Sequence, residues 1–600
     1  MKNFLSYYHD ELLFLRKKGG EFAKNHPEIA SKLDIKDGES TDPQTERIIE
    51  SVAFMSAKLN QKIDDNSQNI AFYLLSALYP NLVNIFPPCS VVKFESENSI
   101  TISDKITINR GTNLFVKSKN DSECQFTTLY PLTIYPISVS NVNLLKTERR
   151  LGGINGWCIE ISIVTNSIPL EQIVPNDLLF HINSDIIENS LMIYESIFSN
   201  PKRNFFLKIN ERYLKIDSEN IVQCGFDNID SVCPVSPYST NSFQLFQEML
   251  HFKRKFMFFR ILKIGDLILN SGIKNISEIS IIVDIEASND RLLEIVKTDS
   301  IILNSTPVVN LFKVTSDPFR FDGTKSKYML LADQSRDDSI EIHSISEIHI
   351  INNETKNDEV VQPYFSLAID SDTNIMHNLY WIYSKESSEL RRLGGFDTYI
   401  SFIDTKMTPK KIYADVVYAK TLCTNRFAAR DIPTFSKMYI DSVETAGYSG
   451  KLIQKTSKPI SFFESTNSLW NLISQLTATH ISVSKADNLM TSIRQLVDIF
   501  SSKDKVKAEE IFGGIKSVSI NEIVQRFGKD SWRGFVKGKE VTINIDDENT
   551  FFSYFLCCII NQYFSDSISI NSFVKLKMKS HNTGKILAKW NPTSGKRDLL

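Results

Sequence analysis

A marked excess of either charge is missing from this 600-residue sequence: 68 lysines and arginines face 71 aspartates and glutamates, for a net charge of −3. With a pI near 6.4, there is no electrostatic reason to expect nucleic acid as a partner. Long hydrophobic runs are missing too. The most apolar late stretch, Phe551 to Phe564, is about fourteen residues long and contains Asn561 and Gln562; a spanning helix needs roughly 20. It reads as a buried core helix, and no direct membrane insertion is expected. The start, Met1-Lys2-Asn3-Phe4-Leu5-Ser6, runs into charged helix without the apolar region of a secretory signal, so a cytoplasmic chain is expected. Eight cysteines are scattered, mostly inside apolar strings. Cys224 and Cys233 lack a second pair, and Cys557-Cys558 are neighbours, so buried thiols are expected rather than metal ligands or disulfides.

Catalytic signatures are also scarce. Gly447-Tyr448-Ser449-Gly450-Lys451 approaches a phosphate-cradling loop, but Leu452 stands where the hydroxyl belongs. The dinucleotide fingerprint G-x-G-x-x-G is absent, as are G-x-S-x-G and H-E-x-x-H. His343 and His349 could share a strand face but have no third ligand, and are expected to be exposed. Asp64-Asp65 are helix neighbours pointing about 100° apart, so they do not converge on one proton. Asp337-Asp338 have no apolar walls to raise a carboxyl pKa. Lys253-Arg254-Lys255, between Phe252 and Phe256, is expected to be a solvated surface or partner contact rather than an RNA patch. No catalytic residue, cofactor or metal is assigned.

What the sequence does hold is helix, then strand, then a mixture. Hydrophobic residues make up 42% and charged residues 23%, as in ordinary soluble proteins, and 39 phenylalanines against 11 methionines and 5 tryptophans predict aromatic-rich cores. Leu5, Tyr8, Leu12, Leu15 and Phe22 form a heptad-like seam that closes at His26-Pro27. A second helix opens at Thr41-Asp42-Pro43-Gln44 and carries Ile48, Val52, Met55, Leu59 and Ile63 at similar spacings. A third runs from about Ser67 to Tyr79 and stops at Pro80. These seams can pack on each other or on another chain. After Pro87-Pro88 strand periodicity takes over, through Val91 to Phe94, Ile100 to Ile108, Asn113 to Lys117 and Phe126 to Val139. A helix over Asn241 to Phe252 turns Phe243, Phe246 and Leu250 to a core. Arg149-Arg150-Leu151-Gly152-Gly153 recurs as Arg391-Arg392-Leu393-Gly394-Gly395. The last third mixes helices over Ser468 to Ala478 and Ser484 to Phe500 with short strands. Six hundred residues exceed one core, so about two to four domains are expected. The reading is an α+β, multidomain chain: an N-terminal helical bundle segment over 1–88, a β-rich domain over 89–325, a second over 326–465, and a mixed α/β C-terminal domain over 466–600.

One family matches this pattern in order and spacing. The run Tyr7-Tyr8-His9-Asp10-Glu11-Leu12-Leu13-Phe14-Leu15-Arg16 resembles the opening of the TssF family, also called VasA or ImpG, of type VI secretion baseplates. The likeness continues through Glu21-Phe22-Ala23, Asp42-Pro43, Glu46-Arg47, Ala53-Phe54, Asp64-Asp65 and Leu78-Tyr79-Pro80. Inside the chain it is strongest over Ile301 to Phe312, then Asp317-Pro318-Phe319-Arg320 and Tyr328. Leu422-Cys423-Thr424-Asn425-Arg426 departs from the family's cysteine-Asn-Arg signature by the inserted Thr424. Ser569 to Phe573, Trp590, Pro592 and Gly595 resemble its C-terminus.

The resemblance implies a non-enzymatic wedge subunit. Its partners would be a smaller TssG-like subunit, a second copy of itself, TssE-like and TssK-like subunits and the spike protein. The baseplate would dock at the inner membrane through partners, template the contractile sheath and trigger it by rearrangement of interfaces. Expected partner-binding residues are Leu5, Tyr8, Leu12, Leu15, Phe22, Ile48, Val52, Met55 and Leu59. The alternatives are a wedge protein of a phage or phage-like contractile tail, and a hydrolase with its site in the β-rich middle.

Overall fold

The computed structural model describes residues 4–28, 35–36, 39–40, 42–96, 105–119, 122–151, 154–165, 168–199, 204–235, 241–285, 290–351, 357–365, 375–388, 394–404, 415–440, 447–461, 469–470, 472–474, 486–500, 512–526, 535–546, 552–567 and 572–594. They belong to two compact units, Met1–Val83 with Phe462–Ser474, and Asn84–Ser461 with Gln475–Leu600.

The first unit is helical. Helix α1 (Phe4–Asn25) ends where His26-Pro27 withdraws the backbone from helical geometry. Helix α2 (Pro43–Leu78) starts at Asp42, whose carboxylate accepts from the Gln44 and Thr45 amides at 3.1 and 3.4 Å, with Pro43 in the first turn. The second and third helices expected from the sequence are therefore one helix of 36 residues, about 54 Å long. Nothing between Gln44 and Tyr79 is a proline or glycine, so the polar run at Asp64 to Ser67 does not break it. Of the expected helix over Ser468 to Ala478, the described positions 469–470 and 472–474 are helical.

The second unit is built on a closed six-stranded barrel of β1 (Cys89–Ser96), β2 (Asn113–Lys117), β3 (Glu123–Thr128), β4 (Ser305–Val309), β5 (Lys437–Ile440) and β6 (Tyr448–Leu452). Its order is β4-β1-β6-β5-β2-β3, closing back to β4. Alternation explains the core: Leu114, Val116, Cys124 and Phe126 are buried while their neighbours are not. Asn304 turns the chain into β4 in the left-handed region, φ 58°. The expected strand from Ile100 lies largely outside the described residues.

Besides the barrel and smaller sheets, the unit holds one eight-stranded and two five-stranded sheets. One runs 212–216, 205–209, 278–285, 154–165, 137–151; another centres on Glu341–Ile351 between Asp415–Thr424 and Asp358–Pro363. The third pairs Phe535–Ile545 in parallel with Phe573–Ser580, a connection that requires a crossover. Both Arg-Arg-Leu-Gly-Gly echoes fall where antiparallel strands join, 137–151 with 154–165 and 375–387 with 396–404; Gly152, Gly153 and Arg391 to Leu393 are outside the described residues.

Three helices fill the centre: α3 (Ile187–Phe198), α4 (Asn241–His251) and α5 (Ser553–Ser567). The apolar late stretch is α5, the crossover helix, and it is buried as expected. Phe555 meets Tyr194 and Phe256 edge-on, and Tyr563 meets Phe243 and Phe246, so the phenylalanine excess does become core. All eight cysteines are free and buried.

Candidate functional site

The helical unit places α1 against α2 through small and polar residues. Ala53 and Ala57, one turn apart, are fully buried on α2, while α1 buries no residue completely. Glu11 of α1 accepts from Ser56 Oγ at 2.8 Å and Asn60 Nδ2 at 2.5 Å. Tyr7 OH donates to Asp64 at 2.7 Å, and Arg16 pairs with Glu46 at 2.6 Å. These exposed or half-exposed ties fix register more than they stabilise.

The expected partner-binding residues divide accordingly. Tyr8, Leu12 and Leu15 are half-buried, whereas Leu5 and Phe22 are exposed. On α2 all four, Ile48, Val52, Met55 and Leu59, are exposed, Met55 by 66%. Ile63 and Ile70 carry the exposure onward at spacings of four and seven. At 100° per residue, Ile48 to Ile70 of this set lie on the side of α2 away from Ala53 and Ala57. One long helix thus turns small residues to α1 and an apolar stripe outward.

The charged chemistry of the β-rich unit is turned inward. Lys255 was expected at a solvated surface; it is fully buried and paired with Glu248, also fully buried. Glu248 further accepts from the Val232 amide at 2.7 Å and Gln244 Nε2 at 3.2 Å, and the Lys255 carbonyl accepts from Tyr130 OH at 2.8 Å. Phe252 and Phe256 flank the lysine because both belong to the core. Arg254 donates to the Ser184 and Asp185 carbonyls, and Lys253 lies over the Phe552 ring.

The two histidines expected to be exposed are also buried. His343 sits with Nε2 4.0 Å from Cys233 Sγ, and burial pulls its pKa down to about 3. His349 stacks on Tyr418 and bonds Asp358 and Glu347, both at 3.1 Å. Sheet layers cover both positions, and two bulges in Glu341–Ile351 break the parity that a strand count assumes. Beside His343, Lys385 Nζ donates to the His343 carbonyl at 2.7 Å and Asn84 Oδ1 at 3.0 Å. Burial lowers Lys385 to about 8 against the pull of Glu341, and raises Glu341 to about 7 against Lys385 and Arg426. Arg426 donates to the Ile340 and Gly394 carbonyls and pairs with Asp397 at 3.3 Å. Gly395 is required there: a Cβ would stand 2.5 Å from Glu341 Oε2, and its φ is +102°. Asn425 joins Asn310 and the Gln125 amide. The only sequence signals for this network were Asn425-Arg426 and the second Gly-Gly.

Glu195 on α3 accepts from the Tyr554 and Phe555 amides at the start of α5. Burial outweighs those bonds and lifts its carboxyl to about 8. Asp337-Asp338 remain in a turn and Asp64 is exposed. Among the described residues no three His, Cys, Asp or Glu side chains are placed to hold a metal, and no helix is long and apolar enough to cross a membrane.

Perturbed groups that tie backbone segments together in one unit, and a helical pair with an exposed apolar stripe in the other, are features of a multi-unit α+β protein. Known proteins place it further. The chain belongs to the TssF family of the type VI secretion system, which matches residues 1–597. It is 23% identical over 632 residues to the type VI secretion system component TssF1 of Pseudomonas aeruginosa, covering 99% of each chain. Its fold is similar to a chain of the TssK–TssF–TssG baseplate subcomplex solved by cryo-electron microscopy, with a TM-score of 0.71 at 18% identity over 92% of this chain and 99% of that one. A chain of the type VI secretion baseplate complex gives 0.57 at 18% identity, over 99% and 100%.

Proposed function

We propose that this chain, a structural subunit of the type VI secretion baseplate, is a non-enzymatic wedge scaffold that assembles through the α2 stripe. Its occupant is a TssG-like subunit, with a second copy, TssE-like and TssK-like subunits and the spike completing the wedge. The chain then works in the cytoplasm, at a membrane reached through partners. The observation that carries the reading is the stripe itself: Ile48, Val52, Met55, Leu59, Ile63 and Ile70 are each more than two-fifths exposed on one helix. A run of this length matches an apolar surface awaiting a partner. Leu5 and Phe22 of α1 are exposed as well.

The test uses Met55→Asp with Leu59→Asp, co-expressed with the TssG-like subunit. Both positions are exposed within the chain, so the variant folds as before. In a wedge they become carboxylates without partners, each costing more than the roughly 1–3 kcal/mol of an unpartnered neutral polar group, against a binding surplus that is small after association costs. Size exclusion is expected to show the complex dissociated and the chain unchanged in circular dichroism. A complex of unchanged mass sinks the stripe as the contact.

A further inference from the structure

The chain enters the β-rich unit at Asn84, and its first residues are held by buried side chains from distant parts of the sequence. Asn84 is buried, and its Oδ1 accepts from Lys385 Nζ at 3.0 Å. The same ammonium donates to the His343 carbonyl at 2.7 Å, and the His343 ring faces the Ile85 carbonyl. Phe86 follows, bridged to Ile460, with its ring 5.4 Å from that of His251. One lysine, on the strand 375–387, thus ties down Asn84 directly and Ile85 through His343.

A second seat for that amine lies beside the first. Glu341 is buried, and its Oε1 has no hydrogen-bond partner among the described residues. Its other oxygen lies against Gly395, where a Cβ would stand 2.5 Å away. Burial raises the Glu341 carboxyl, and of the charges opposing that rise Lys385 leads, ahead of Arg426. Burial lowers Lys385, and there Glu341 leads the opposition. Arg426 is committed to the Ile340 and Gly394 carbonyls and to Asp397. Its planar fork is fixed by three partners, whereas a lysine head on a flexible stem can turn. We propose that Lys385 is a two-position latch. Seated on Asn84 it holds the entering chain down; swung to Glu341 Oε1 it pairs the orphaned oxygen and lets Asn84 and Ile85 go. In the first state a buried carboxylate oxygen stays unpaired, which is costly. In the second that cost is relieved, but the tie on the chain is lost. Opposed costs of this kind are the condition for two populated states. Two freed residues supply about 7 Å of chain. On the scaffold reading, which the latch needs for its purpose only, that slack lets a baseplate subunit rearrange without unfolding the β-rich unit.

The test is amide hydrogen exchange at Ile85 and Phe86 in the full chain purified with its TssG-like partner. Glu341→Gln keeps the shape of the second seat and removes its charge, so exchange is expected to slow by about tenfold. Asn84→Ala and Lys385→Met remove the first seat, so exchange is expected to speed up by about tenfold or more. The Asn84→Ala chain should keep the melting profile of the parent. Exchange in Glu341→Gln as fast as in the parent, or faster, overturns the latch, since Glu341 would then only support the lysine where it sits. Unchanged exchange in Asn84→Ala overturns it as well, and stays readable should Lys385→Met fail to fold. Failure of the α2 stripe variants to dissociate the wedge would sink the scaffold reading alone and leave these exchange rates as they are.

Discussion

Single residues in the β-rich unit carry disproportionate weight because their charges are out of water. Lys255 and Glu248 have no exposed side-chain surface, so removing one leaves the other charged in an apolar site. Breaking such a pair costs about 3–5 kcal/mol. Lys255→Met is expected to lower the urea midpoint sharply, and Glu248→Gln in the same chain to restore most of the loss. Equal loss in the single and double variants would mean that packing, not the charge, is responsible. Glu195 is a sharper instrument because it titrates. Its folded pKa of about 8 lies above the ordinary 4.5, so the folded chain holds the extra proton between those values and stability falls as pH rises through them. Above about 8 the penalty is constant. Lys385, lowered from 10.5 to about 8, acts in the opposite sense above pH 8. Glu195→Gln keeps an acceptor for the Tyr554 amide without the charge. Its stability relative to the parent is expected to grow from pH 5 to pH 8 and then level off. A difference independent of pH would show that the carboxyl is already ionised in the fold.

Elements were legible where local pattern decides them. The end of α1 at Pro27, the opening of α2 at Asp42-Pro43 and the apolar crossover helix α5 all follow from short-range rules. The fusion of two expected helices into α2 was not, since a polar run without proline or glycine leaves the helix free to continue. Burial of His343, His349 and Lys255 was not legible either, because it depends on which sheets cover a strand. The barrel lies further still from any window: its strands come from 89–128, 305–309 and 437–452. Of the candidate site, spacing revealed the α2 stripe but not the side it faces, which is set by Ala53 and Ala57 against α1. Within the barrel, Gly450 shows why β6 is specified. A Cβ there would stand 2.6 Å from Val92 Cγ1 on β1, closer than packed atoms come. Gly450→Ala is expected to cost about 1–3 kcal/mol, read as a lower thermal midpoint with the α2-dependent assembly retained. An unchanged midpoint would mean that Val92 can swing aside.

At the scale of the whole chain, two compact units are joined three times, at Val83–Asn84, Ser461–Phe462 and Ser474–Gln475. On the β-rich side the first two connections are tied down. Phe86 and Ile460 form an antiparallel bridge, with bonds of 2.8 and 3.2 Å, and Ser457 and Cys89 exchange two more. Asn84 is held by Lys385, and the Phe86 ring rests 5.4 Å from that of His251 on α4. The β-rich unit therefore closes its own ends, with barrel, sheets and aromatic centre all drawn from 84–461 and 475–600. Each unit has a separate task on this reading: the helices present the stripe, and the β-rich unit folds on its own core. A chain without residues 1–83, with 462–474 replaced by a glycine-serine linker of equal length, should then keep a cooperative melt. Such a linker closes at modest entropic cost, since that cost grows only slowly with length. The same chain should fail to co-purify with the TssG-like subunit. Loss of the cooperative melt would show that the helical unit completes the β-rich core. Co-purification without the helices would move the wedge contact off α2.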